Sequence, residues 1–154
     1  MSKKLKQANL ERKLLYFGQA CRDAGLKLTH QRMEIFTELA LAEDHPSAET
    51  LHKRLQKRLA FLSLDTVYRT LATLEKHQLI TKVETVESQA RFEADMDRHH
   101  HAICRRCGTI TDFNWHAFDE VQLPEVVKGW GRIDKKSITL HGICGECAKT
   151  STPE

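Results

Sequence analysis

Two cysteine pairs of identical spacing, Cys104-x-x-Cys107 and Cys144-x-x-Cys147, stand 36 residues apart in the last third of a 154-residue chain. No other feature limits the fold as strongly. Four sulfurs in two knuckles satisfy the tetrahedral preference of Zn²⁺ and leave no position open, which is the structural type of site. Gly108 and Gly145 follow or interrupt the pairs and let the chain fold back so that both point at one ion. Two disulfides or two redox dithiols are the alternatives; matched knuckles and a reducing compartment favour zinc. The expected address is the cytoplasm. The charged opening MSKKLKQANLERK leads into no apolar stretch, and the longest apolar runs, such as Leu39 to Ala42, are four residues. A membrane-spanning helix needs about 20.

A metal clip matters here because apolar content is thin. The chain is 40% hydrophobic but only 6% aromatic, so two small cores would each be marginal without a metal or a partner subunit. Charge and ligand-type side chains divide the chain in two. Residues 1–90 hold 15 Lys/Arg against 11 Asp/Glu (+4), whereas residues 91–154 hold 9 against 10 (−1). Four of five cysteines and five of nine histidines fall after residue 90. The expected organisation is an α+β protein with a helical unit over 1–93, a polar hinge over 94–98 and a metal-binding unit over 99–154.

Helical periodicity fills the first unit. Leu10, Leu14, Phe17 and Cys21 share one face, with Gly25 placed to end that helix. Thr29, Ser47 and Ser63 can each cap a further helix, with apolar stripes of Met33, Phe36 and Ala40, then Ala48, Leu51, Leu55 and Leu59, then Leu64, Val67, Leu71 and Leu74. The period then changes. Residues 80–85 and 89–93 are short β-prone stretches joined by Val86-Glu87-Ser88, a hairpin pattern. Helices followed by a hairpin outline a winged helix-turn-helix whose fourth helix, opening Asp65-Thr66-Val67-Tyr68-Arg69, would offer side chains to base edges. The competing reading makes Tyr68 and Arg69 ordinary exposed helix residues. In the second unit, strands are expected over 99–104, 109–113 and 133–140, with a helix over 118–128 that Pro124 shortens or kinks.

His99-His100-His101 precedes the first knuckle. Alternate strand residues share a face, so His99 and His101 can converge on an ion while His100 points away. Glu93 and Asp112 are the nearby acidic candidates. Imidazoles with carboxylates suit Fe²⁺, Mn²⁺ or Zn²⁺ better than Mg²⁺; the alternative is a solvated histidine edge. An enzyme reading finds little footing. No histidine has Glu two positions later, as a zinc deaminase requires, and no HExxH is present. Cys21, alone on the apolar face of the first helix, reads as a buried structural thiol.

Taken together, the motifs resemble the ferric uptake regulator (Fur) family of bacterial metal-dependent repressors. The resemblance rests on Ala24-Gly25-Leu26-Lys27-Leu28-Thr29 with Gln31-Arg32, His45-Pro46-Ser47-Ala48, Asp65-Thr66-Val67-Tyr68-Arg69-Thr70-Leu71, Arg91-Phe92-Glu93, His99-x-His101-x-x-Cys104-x-x-Cys107-Gly108, Asp112-Phe113 and Gly142-x-Cys144-x-x-Cys147. It implies a homodimer on a palindromic operator, structural Zn²⁺ on the four cysteines, and a regulatory Fe²⁺ or Mn²⁺ held by His45, Glu93, His99, His101 and Asp112. It further implies that Lys27 enters the minor groove and that Tyr68 and Arg69, with Thr66 beside them, face bases or phosphates. Asp112 is similar to the peroxide-sensing (PerR) branch, while Glu93 and Tyr68-Arg69 are nearer the iron-uptake pattern. Lys136 stands where many iron-uptake members carry a further histidine. The favoured reading is a repressor that senses peroxide by oxidation of a ligand histidine; the alternative is an iron-responsive uptake regulator.

Overall fold

The computed structural model describes residues 3–85 and 89–150, and the chain separates into two compact units, Met1–Met96 and Asp97–Glu154. The first contains helices α1 (Lys3–Asp23), α2 (His30–Leu41), α3 (Ala48–Leu55) and α4 (Leu64–Lys76), then strands β1 (Thr81–Val83) and β2 (Arg91–Glu93). Each expected cap is made. The hydroxyls of Thr29, Ser47 and Ser63 accept the backbone N–H three residues on, at 3.1, 3.2 and 3.1 Å, satisfying one orphan donor per helix. The first helix stops at Gly25 (φ +67°), which lets the Leu26 N–H reach back to the Cys21 carbonyl at 2.8 Å. Gln78 (φ +57°) ends α4 the same way, with Leu79 N–H on the Leu74 carbonyl at 2.9 Å.

These helices bury one apolar cluster. Phe17 stacks on Phe36 with ring centroids 3.8 Å apart. Cys21, Ala48, Leu51, Leu55, Val67, Leu71 and Leu74 are buried as their periodicity requires. In α2 the stripe is rotated from expectation: Ile35 and Leu39 are fully enclosed beside Phe36, while Met33 and Ala40 lie at the margin. The hairpin pairs Thr81 with Glu93 and Val83 with Arg91, antiparallel. Its expected connection, Val86-Glu87-Ser88, lies outside the described residues. Four helices and a two-stranded wing make a winged helix-turn-helix, with α3 and α4 as its two-helix motif.

The second unit contains β3 (His100–Cys104), β4 (Ile110–Phe113), α5 (His116–Glu120), α6 (Glu125–Lys128), β5 (Thr139–Gly142) and α7 (Gly145–Lys149). Its sheet runs β4-β3-β5, antiparallel on one side of β3 and parallel on the other. Three expectations need correction. The helix over 118–128 is two short ones, because Val121 is extended and Pro124 becomes the residue that opens α6. The last strand lies further on than 133–140, in the register set by pairing of Thr139 to Gly142 with His101 to Cys104. Of the two knuckle glycines only Gly108 takes positive φ (+72°); Gly145 opens α7 instead.

Candidate metal centres and nucleic-acid interface

The four cysteine sulfurs lie within 4.8 Å of one another. Cys104 ends β3, Cys107 follows the turn, and Cys144 and Cys147 flank the start of α7. Cys107 and Cys144 sulfurs are 3.7 Å apart. Backbone N–H groups, led by that of Cys144 at 3.3 Å, bring the Cys104 thiol down to about 6. Thr109, with its hydroxyl 3.1 Å from the sulfur, lowers Cys107. Cys147 is raised, chiefly by its contact with the Cys144 thiol and by burial. Such opposed shifts express crowding: four sulfurs this close cannot all ionise unless a cation sits among them. The donor set, four thiolates with no position left open, fits structural zinc.

On the first unit, His45 Nε2 meets Glu93 Oε2 at 3.0 Å, with both side chains buried. His45 takes φ +48° immediately before Pro46, a left-handed conformation that costs a non-glycine residue about 1–2 kcal/mol. The wing holds it there. The Arg91 guanidinium donates to the carbonyls of His45 and, at 2.9 Å, Asp44, and Phe92 N–H donates to the Pro46 carbonyl at 3.1 Å. Strain retained at a buried imidazole beside a buried carboxylate is the pattern of a functional position. Arg91 carries no chemistry in the motif reading; its clamp on residues 44 and 45 depends on long-range pairing.

On the second unit, His99, immediately before β3, and His101 within it point to one side, as alternation demands, with Nε2 atoms 3.1 Å apart. The Asp97 carbonyl sits 2.7 Å from His99 Nδ1, which places the ring proton there and leaves Nε2 as a lone pair. Asp112, paired with His101 across β3 and β4, brings Oδ1 to 3.5 Å from His101 Nε2. His99, His101 and Asp112 therefore form one donor group.

The α4 residues Tyr68 and Arg69 are exposed. Tyr68 donates its hydroxyl to Glu49 at the start of α3, and Arg69 lies 3.3 Å from Asp65. Thr66 is half-buried, its hydroxyl 2.8 Å from Ser63 Oγ. Thr29, Gln31, Arg32, Thr66, Arg69, Thr70 and Thr73 line a polar groove beside this helix. Lys27 is exposed between α1 and α2. The Glu49 contact escaped the sequence reading, since nothing in one helix's pattern reports its neighbour's.

Residues 23–141 match the sequence profile of the Ferric uptake regulator family. The chain belongs to that family. A peroxide operon regulator of Bacillus subtilis is 31% identical over 132 residues, 85% of this chain and 90% of its own. The solved ferric uptake regulator of Helicobacter pylori, described as having three functional metal binding sites, shares 30% identity at a TM-score of 0.76, covering 93% of this chain and 96% of its own. A manganese-containing ferric uptake regulator of Pseudomonas aeruginosa gives a TM-score of 0.70 at 30% identity, covering 83% and 97%. This protein is accordingly a metal-responsive transcriptional regulator. No helix among its described residues is long and apolar enough to cross a membrane.

Proposed function

We propose that this chain is a homodimeric repressor of palindromic operator DNA, gated by one exchangeable Fe²⁺ or Mn²⁺ held jointly by His45, Glu93, His99, His101 and Asp112. The observation that carries this reading is His45, buried against Glu93 and kept in a strained backbone state by Arg91. The second unit supports it with matching chemistry, two imidazole nitrogens and a carboxylate on one face. Both sets are imidazole plus carboxylate, and neither alone fills the coordination sphere of a first-row divalent ion. An ion shared by the two sets would fix the angle between the units across residues 94–98. The α4 helices of two protomers would then match half-sites about one helical turn apart. Tyr68, Arg69 and Thr66 would face the DNA, with Lys27 at the adjoining minor groove. Zn²⁺ on Cys104, Cys107, Cys144 and Cys147 would hold the dimerising unit together. That unit supports a second copy, since β5 is exposed along its length and Leu140 and Ile143 with it.

Fe²⁺ at such a site would supply activation of hydrogen peroxide beside the ligands, so that one peroxide oxygen would add to a ring carbon, the other would leave as water, and the imidazole would furnish the two electrons. His45 and His99 then become the targets, because ring oxidation of either removes a donor and frees the hinge. The Bacillus subtilis relative is named for a peroxide response, and Asp112 agrees with that branch. Mass spectrometry of residues 45 and 99 after Fe²⁺ and peroxide tests the reading. Gain of one oxygen atom on either, with loss of operator binding in a gel shift, is expected. Unmodified histidines with reversible Fe²⁺-dependent binding would establish the iron-responsive alternative. His45→Ala should abolish metal-dependent DNA binding while retaining zinc and the dimer; normal binding by that variant would remove His45 from the site.

A further inference from the structure

His100 faces away from its two neighbours on β3. It is fully buried against Phe113 and Phe118, with ring centroids 5.4 Å from each. Its Nδ1 accepts the Ile138 N–H at 3.2 Å, which assigns the ring proton to Nε2. That Nε2 points at Asp119 Oδ1, 3.5 Å away, and neither atom completes a hydrogen bond. Arg98 Nη1 lies 3.8 Å from the same oxygen. Asp119 Oδ1, and His100 Nε2 once its proton shifts to Nδ1 at the expense of the Ile138 bond, are donors that a divalent cation could use. They belong to neither donor group described above.

The third member of the cluster decides otherwise. Lys136 Nζ donates to the carbonyls of Asp119 at 2.9 Å and Val121 at 2.6 Å, and lies 5.0 Å from the centre of the Phe118 ring. An ammonium group has three donors and no lone pair, so it cannot ligate a metal, and it repels one. It is also well used where it stands, bonding the carbonyls left open at the end of α5.

We propose that Lys136 is a resident cation that holds the end of α5 and bars a divalent ion from His100 and Asp119. The proposal does not depend on which metal the proposed exchangeable site takes.

Full-length protein, dialysed against Co²⁺ and counted for metal per protomer, tests this as differences between variants. Wild type and Asp119→Asn should bind the same number of ions. Lys136→His, which exchanges the ammonium for an imidazole donor, should gain one, and adding Asp119→Asn to it should remove that ion. A Co²⁺ titration followed by absorbance provides a second readout, in which wild type and Asp119→Asn should show the same components. An ion in wild type that Asp119→Asn abolishes would overturn the proposal, as would a folded Lys136→His that gains none. Failure of the proposed His45–Asp112 site would lower every count equally and leave these differences intact.

Discussion

The first unit gathers sixteen buried residues into one apolar cluster, whereas only Ile103, Cys104 and Ile110 are buried hydrophobics among the described residues of the second. Each fully buried large apolar side chain contributes about 1.5–3 kcal/mol, so burial stabilises the first unit several times more than the second. Order in the second unit must come from cross-links between distant parts of the chain. The cysteine set is one, the Lys136 grip on α5 another. A metal-gated regulator has use for this inequality, since its reading head must be rigid while its sensing part answers to an ion.

Removing zinc is the severest way to break the comparison. Structural zinc sites of this kind contribute about 10–16 kcal/mol of binding free energy that is also folding free energy. Cys144→Ser, or a strong chelator, should expose the chain beyond residue 97 to limited proteolysis while helical circular dichroism from the first unit persists. A protease-resistant second unit without zinc would mean that its core is better than its burial indicates. The converse experiment is Leu71→Ala, which opens a cavity in the first cluster. It should destabilise the first unit by about 2–5 kcal/mol in urea denaturation and leave zinc content unchanged.

Acid gives the smallest effect. Asp44, in the segment that carries His45, is hydrogen-bonded by Arg54 through both oxygens, at 3.1 and 2.5 Å, and this holds its carboxyl below the ordinary 3.8. A depressed folded pKa means that the stabilisation is fully present above about pH 4 and lost as pH falls through the folded value. The pair is half-exposed, so solvent screening limits it to under about 1 kcal/mol. Arg54→Gln should flatten the acid limb of the first unit's stability curve and leave zinc release unchanged; an unaltered limb would assign the acid sensitivity elsewhere.

Local chemistry was legible in the chain, and long-range pairing was not. Thr29, Ser47 and Ser63 cap the helices expected of them because a cap is decided within four residues. The alternation of His99, His100 and His101 follows from strand geometry alone, as does the close approach of equal Cys-x-x-Cys knuckles. The position of β5 is another matter, since its register is fixed by β3, some forty residues earlier. Pro124 announced a break but not that it would open a new helix. His45 is the sharpest case: a residue before proline is expected in extended backbone, yet Arg91 and Phe92 of β2 hold it left-handed. Lys136 could be seen as a departure in sequence, but only the carbonyls of residues 119 and 121 show what it grips.

One strand carries both kinds of donor in the second unit. His101 and Cys104 are three residues apart on β3, about 10 Å at the rise of an extended chain. The zinc knuckle therefore anchors the ruler on which the proposed exchangeable ligands are marked. On that proposal loading would have an order: the four sulfurs would be filled before His99 and His101 are presented at the right spacing. Unloading would have two depths. A mild chelator would draw off the exchangeable ion and reset the regulator, whereas oxidation of the thiols would erase the scale itself, and that protomer would be retired rather than switched.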